Sequence, residues 1–221
     1  GAMLDVKPIV ALAHERGVPV LLDSYQAIGS LPIDVKALGV DFLAAGVLKY
    51  LLGSAGLGFL YCRRELWESA WPTATGWFAD RDIFEMDIHD YSPAPSARRF
   101  EAGTPPVPST YAAISGIELM QAIGIAETEA HVRELNALLH DGLEELGTRA
   151  VTPRAPEQSG ALVCVPSTDV NALVAALDAE GIVTSSRDSN LRISAHCYNT
   201  GDDVRTVLDL LARNRALLQP A

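Results

Sequence analysis

The chain alternates short apolar runs with amphipathic ones, and the spacing of its apolar positions changes along its length. In "VKPIVALAHERG" Ile9, Val10, Leu12 and Ala13 recur at helical spacing, and Gly17 ends the run. "VPVLLD" is short, continuously apolar and closed by an acid, which predicts a strand buried on both faces. "DVKALG" predicts a brief helix capped by Asp34, "VDFLAAG" the next strand and "GLGFLYC" another. Strand, helix and strand in such quick succession predict an α/β fold with a mainly parallel sheet.

Between residues 71 and 108 the pattern breaks. Pro72, Pro93, Pro95, Pro105, Pro106 and Pro108 lie among glycines, serines and aromatics. The stretch is too long for an ordinary connection and reads as a functional or interface segment. Two amphipathic helices follow, "STYAAISGIELMQAIG" and "ETEAHVRELNALLHDGLEELG". The second carries Val132, Leu135, Leu138, Leu139, Leu143 and Leu146 on one face. Beyond Pro153, "GALVCVP" predicts a strand, "DVNALVAALDAEG" a capped helix, "IVTSSR" and "LRIS" two strands, and "GDDVRTVLDLLARNRALL" a closing helix. The expected organisation is part of a large α/β domain over 4–98, an interface loop with linking helices over 99–150, and a small α+β domain over 151–221. Gly1, Ala2 and Met3 read as a cleavage remnant outside the fold.

Composition narrows the partners. The 221 residues are 48% hydrophobic, enough to bury a sizeable core, yet no apolar run reaches the roughly 18 residues that span a bilayer. Seventeen Lys+Arg against 28 Asp+Glu give a net charge of -11. Such a surface repels phosphate backbones and anionic membranes, so neither nucleic acid nor membrane is an expected partner. A small anion held by a few local donors remains open. Cys62, Cys164 and Cys197 form an odd set without CxxC spacing, which predicts a reducing, cytoplasmic setting with no disulfide framework and no zinc site.

One stretch raises a chemical question. "AGVLKYLLGSAGLGFLY" places a single cation, Lys49, in an apolar, glycine-rich run. Taken alone, Lys49 is a solvated lysine or a nucleophile kept in a dry site. Asp23 ends one predicted strand and Lys49 follows another, so in a parallel sheet both reach the carboxyl edge, where ligands bind in open α/β folds.

Three segments carry a resemblance: "VLLDSYQAIGSLPIDVKALGVDFLAAGVLKYLLGSAGLGFLY", "RRFEAGTPPVPSTYAA" and "LRISAHCYNTGDDV". In this order they resemble the class V aminotransferase family. These are fold-type-I pyridoxal 5'-phosphate enzymes that include cysteine desulfurases, kynureninase and isopenicillin N epimerase-like proteins. The resemblance covers residues 4 to about 215 and implies a partial large domain followed by a small α+β domain. It also implies that Lys49 forms an internal aldimine with the cofactor aldehyde and later shuttles the substrate's α-proton. Asp23 would pair with the pyridinium nitrogen, and Gln26 would donate to the phenolic oxygen. Arg192 would bind the substrate's α-carboxylate, and Gly103 and Thr104 would reach the cofactor phosphate of the opposite subunit.

Each assignment has a plainer rival. Asp23 is also placed to cap the following turn, Gln26 to be an exposed turn residue, and Arg192 to pair with an acid such as Asp203. Gly103 and Thr104 also suit a Pro-rich turn. His196 reads as structural, "DIHD" (87–90) as a solvated loop, and His14 as a helix-end group favoured by the dipole. "GSAGLG" lacks dinucleotide-loop spacing and leads into a strand.

Three departures from the resemblance shape the expectation. Relatives carry an N-terminal portion before the position of Leu4, which supplies a group stacked on the cofactor ring and a helix N-terminus for its phosphate. A second copy, a complementary N-terminal polypeptide or a missing segment is therefore expected to complete the site. Where many relatives have Ser-x-His before the lysine, this chain has Gly46, Val47 and Leu48. "IVTSSRDSNLRIS" contains no cysteine, which disfavours sulfur transfer through a persulfide. The expected function is that of a pyridoxal-phosphate enzyme subunit or fragment acting on an amino-acid-like substrate by transamination, epimerisation or elimination. The alternative is a non-catalytic binding or scaffold subunit that retains the fold.

Overall fold

A computed structural model describes residues 1–221, and the chain divides into two compact units. The first comprises Asp5–Ile28 and Ile33–Met120; the second comprises Gly1–Leu4, Gly29–Pro32 and Gln121–Ala221. The fold class is α/β, with one mixed sheet and one antiparallel sheet.

The first unit holds α1 (Lys7–His14), β1 (Leu21–Asp23), α2 (Val35–Leu38), β2 (Phe42–Gly46), β3 (Gly58–Cys62) and most of α3 (Val107–Ile123). Asp34 caps α2 as its sequence predicts, accepting from the backbone N–H of Lys36 at 2.9 Å and of Ala37 at 3.0 Å. Gly39, with φ of 75°, ends that helix in the left-handed conformation that suits a residue without Cβ. The sheet order is β1-β2-β3. β1 runs parallel to β2 with Asp23 opposite Ala44, as expected.

One strand direction lay outside the expectation for this sheet, and one expectation fails. β3 is antiparallel to β2, with Gly46 opposite Gly58. Residues 47–57 are too few for the crossover of about a dozen or more residues that a parallel pair needs, so the chain returns directly. The apolar run ending at Asp23 is also not buried on both faces. β1 is an edge strand, and its Leu21 is 57% exposed; on α1 only Val10 is buried, while Ile9 and Leu12 are exposed. An apolar pattern reports what a segment can bury, whereas burial depends on a neighbour being there.

The interior near Lys49 is built from Val47, Leu51 and Ala113, with Ile28, Leu57 and Ile117 packed against them. The proline-rich segment has little regular structure beyond 3-10 turns at Trp77–Ala79 and Ala97–Phe100. Arginine donors organise it by satisfying loop carbonyls. Buried Arg99 donates from Nε to Ala94 at 2.9 Å and also bonds the Trp67 carbonyl, and Arg98 bonds the carbonyls of Phe78 and Arg81.

The second unit contains α4 (Ile125–Glu145), β4 (Leu162–Pro166), α5 (Val170–Asp178), β5 (Ser185–Arg187), β6 (Asn190–Ser194) and α6 (Gly201–Arg213). Its sheet is antiparallel throughout, in the order β4-β6-β5. Val132, Leu135, Leu139 and Leu143 of α4 are buried, as their spacing predicts, together with Val163, Val165, Leu173, Leu191 and Leu211. Thr200 and Asp203 form a reciprocal capping box at the start of α6. Gly142 of α4 lets Leu208 of α6 approach closely, since a Cβ there would overlap it. Residues 1–3 belong to this unit: the Met3 N–H donates to the Gln158 carbonyl at 2.8 Å, and Ala2 bridges Ser159. No helix is long and apolar enough to cross a membrane.

Candidate active site

Asp23 and Lys49 stand at the carboxyl ends of two adjacent parallel strands. Past Asp23 the chain stays on the sheet for one residue, because the Ser24 N–H donates to the Ala44 carbonyl at 3.0 Å. The Ser24 carbonyl then accepts from the N–H groups of Ala27 and Ile28, each at 2.9 Å, and closes a tight turn. Asp23 Oδ1 accepts from the Tyr25 N–H at 3.0 Å. The acid therefore does cap its turn, and its second oxygen makes no hydrogen bond within the chain. Gln26 is exposed on the same turn.

Lys49 follows β2 on a second tight turn. The Leu52 N–H donates to the Lys49 carbonyl at 3.0 Å and the Gly53 N–H to the Val47 carbonyl at 2.8 Å. Leu52 adopts φ of 57°, a left-handed conformation that costs a non-glycine residue about 1–2 kcal/mol. Packing holds the turn. Val47 and Leu51 point into the apolar cluster, and Gly116 of α3 lies so close that a Cβ on it would overlap the Leu51 carbonyl oxygen. Anchored on both sides, the turn leaves Lys49 half-buried, with Nζ 4.7 Å from the centroid of the Tyr25 ring. That is within cation–π range, so Tyr25 links the acid's turn to the lysine's.

The other predicted residues lie apart in the chain. Gly103 and Thr104 sit on the loop before α3, where Gly103 is half-buried near the Trp77 indole nitrogen and Thr104 is exposed. Ser109, just inside α3, donates to the Ala55 carbonyl at 3.0 Å. Arg192 lies in the second unit, on the central strand β6 opposite Cys164 and Ser185. Asp203, its alternative partner, is instead engaged by the Thr200 N–H at 2.8 Å and the Asn199 amide at 3.3 Å. These bonds, the Thr200 N–H first, hold the Asp203 carboxyl below its ordinary range.

Several conspicuous polar groups are structural. At the amino end of β2, Asp41 is buried and receives the Val20 N–H at 2.7 Å, His14 Nε2 at 2.8 Å and Arg63 at 3.5 Å. Burial alone would raise its carboxyl; the His14 ring, the Val20 N–H and the Arg63 guanidinium outweigh that and leave it below the ordinary value. His14 thus does more than complement a helix end: it ties α1 to the sheet. His196 is buried, stacks on Tyr198 with centroids 4.9 Å apart, and holds Nδ1 3.0 Å from Cys197 Sγ. Burial pushes the Cys197 thiol up, away from the thiolate a nucleophile requires. In "DIHD", Asp87 caps an exposed turn by accepting from the His89 N–H at 2.7 Å. Tyr25 and Gly116 escape a reading by residue type; the available signal is the bare Gly46 close before Lys49, which has meaning only beside Tyr25.

The first unit carries a mixed sheet with a lysine and an acid at its carboxyl edge, and the second is a small α+β unit with an antiparallel sheet. The aminotransferase class-V family model matches residues 1–207, and the chain belongs to that family. An uncharacterized aminotransferase, YcbU, of Bacillus subtilis (strain 168) is 34% identical over 96% of this chain and 56% of its own length. A cysteine desulfurase of Thermococcus onnurineus NA1, solved in its apo form, superposes with a TM-score of 0.89 at 26% identity. That match covers 98% of this chain and 57% of that one. A mutant of C-DES with glycine covalently linked to its PLP cofactor superposes with a TM-score of 0.84 at 25% identity, covering 95% and 56%. Probable cysteine desulfurases and kynureninases are also among the relatives. The chain spans about half the length of the curated relatives it matches.

Proposed function

We propose that the chain is a subunit or fragment of a pyridoxal-phosphate-dependent enzyme acting on an amino-acid-like substrate, with Lys49 as its catalytic residue. The observation that carries this reading is the pairing of Lys49 and Asp23 at one sheet edge, joined through Tyr25. The donor set fits the cofactor: an amine for its aldehyde, a carboxylate with a spare oxygen for its ring nitrogen, and the exposed amide of Gln26 for its phenolic oxygen. When bound, the cofactor supplies a carbonyl for covalent attachment and an electron-withdrawing ring.

The chain's own residues do the rest. Lys49 Nζ provides the attachment point and takes up or returns the substrate's α-proton. Asp23 holds the proton of a facing ring nitrogen, because a carboxylate stabilises a neighbouring cation. The fork of Arg192 binds the substrate's carboxylate in bidentate fashion, a role supported by its lack of any carboxylate partner in the chain. Gly103 and Thr104 approach the phosphate held by another subunit. Transamination, epimerisation and elimination all begin with α-proton removal, so they share this set of residues. The Cys197 thiol pushed up by burial and a cysteine-free 182–194 segment speak against a persulfide route.

The test is direct. The purified protein is incubated with pyridoxal phosphate, reduced with borohydride and mapped by peptide mass spectrometry. The expected adduct is on Lys49 and disappears in Lys49→Ala; an adduct elsewhere, or none in the assembled protein, overturns the reading. Another copy, a complementary N-terminal polypeptide or an N-terminal segment of the same protein completes the site in this proposal. Exposed Leu21 on β1 and exposed Phe59 and Leu60 on β3 support it, since both edges of the sheet leave apolar groups uncovered. Native mass spectrometry that finds a lone monomer with full cofactor occupancy refutes that part.

The second reading, a non-catalytic scaffold subunit, is motivated by Gly46 and Leu48 standing where many relatives have Ser and His. Turnover of any amino acid that is lost in Lys49→Ala eliminates it.

A further inference from the structure

We propose that Tyr25 is a positioning residue for Lys49, its ring seating the amine and its hydroxyl standing where a side chain on residue 46 would begin. The donor role of the hydroxyl rests on the cofactor reading above; the seating of the lysine does not.

Two observations meet at this residue. Lys49 Nζ lies 4.7 Å from the centroid of the Tyr25 ring. A Cβ built on Gly46 would overlap the Tyr25 hydroxyl and its ring carbons Cζ and Cε2. The ring therefore lies against bare backbone at the last residue of β2, and only a residue without Cβ admits it there. Gly46, Tyr25 and Lys49 form one steric unit: any side chain at 46 displaces the ring, and a displaced ring no longer faces the amine.

The turn that presents Tyr25 is the one capped by Asp23, whose carboxylate accepts the Tyr25 N–H at 3.0 Å. Lysine, phenol and acid are thereby fixed relative to one another by a hydrogen bond, a ring contact and the parallel register. The phenol itself is half-buried, and no group in the chain hydrogen-bonds its hydroxyl. A phenol both donates and accepts, so this one is available to an anionic group of a ligand held on Lys49. A tyrosine kept only to fill space would leave Lys49 and the ligand indifferent to its ring and its oxygen alike.

The test uses the purified protein and its Tyr25→Phe, Tyr25→Leu and Gly46→Ser variants, with two readouts. The first needs no cofactor: the ε-methylene protons of Lys49, held over an aromatic face, resonate upfield in NMR spectra. The second is the affinity for pyridoxal phosphate, read as borohydride-trapped Lys49 against cofactor concentration. Tyr25→Phe is expected to keep the upfield resonance and bind the cofactor about tenfold more weakly, the worth of one hydrogen bond to a charged group. Tyr25→Leu and Gly46→Ser are expected to lose the upfield resonance and to weaken binding further. An unshifted Lys49 resonance in wild type, or one unchanged in Tyr25→Leu, overturns the seating of the amine. Undiminished affinity in Tyr25→Phe overturns the donor role. Should wild type trap no cofactor on Lys49, the cofactor reading fails, and the NMR arm still decides what the ring does.

Discussion

Replacing Gly116 by alanine sets two effects of known sign against each other. In the middle of a helix, Gly→Ala stabilises by about 1 kcal/mol, because alanine loses less backbone freedom on folding. At this position on α3, however, the new Cβ would overlap the Leu51 carbonyl oxygen and sit 2.8 Å from the carbonyl carbon of Leu52. Ordinary contact begins near 3.4 Å, and the obstacles are backbone atoms rather than a side chain that can swing aside. Helix and turn must separate by about 1 Å to clear the Leu51 oxygen, and such overpacking costs about 1–3 kcal/mol. The expected net is a loss of about 1 kcal/mol, or roughly 2–4 °C in Tm for a chain of this size. The strained part is the turn that carries Lys49, with Leu52 already at φ of 57°. The separation should therefore also slow trapping of pyridoxal phosphate on Lys49, whose productive placement tolerates little displacement. Thermal unfolding by calorimetry and the trapping rate together check this. A Gly116→Ala protein that melts higher than wild type and traps cofactor at an unchanged rate would show that α3 does not buttress the turn.

Further outcomes follow from the same structure. The Asp41 carboxyl is held below its ordinary value of about 3.8, so its contribution is present above that value and is lost as pH falls through the lower folded one. Thermal melts of wild type and Asp41→Asn should differ by about 1–2 kcal/mol at pH 7 and converge as the pH falls below the ordinary carboxylate range; a constant difference would refute the linkage. Thr200→Ala removes one half of the capping box on α6 and should cost about 1 kcal/mol in urea denaturation, with Thr200→Ser restoring most of it. Leu143, fully buried on α4, should cost about 2–5 kcal/mol when cut to alanine, measured the same way. Cys197 should react with a thiol reagent at pH 7 more slowly than free cysteine, because burial keeps its thiol protonated.

Local chemistry made much of this protein legible before any coordinates. Asp34 and Gly39 bracket α2 by the hydrogen bonds and left-handed φ that their side chains, or lack of one, favour. The apolar face of α4 follows from a 3.6-residue period, and the edge position of Asp23 and Lys49 follows from strands that end where those residues begin. Covalent geometry and local hydrogen bonding act within a few residues, so a one-dimensional string carries them. The direction of β3, the exposure of Leu21 and the tie between His14 and Asp41 did not follow from the string, because each depends on what lies across space. The same holds for the contacts that shape the candidate site. Gly46 alone is one more glycine, and Gly116 alone is a weak point in a helix; only packing sets one against the Tyr25 ring and the other against the Lys49 turn. The residue types and their order were determined by the sequence, whereas the seating of the lysine amine was decided by which backbones come close enough to touch.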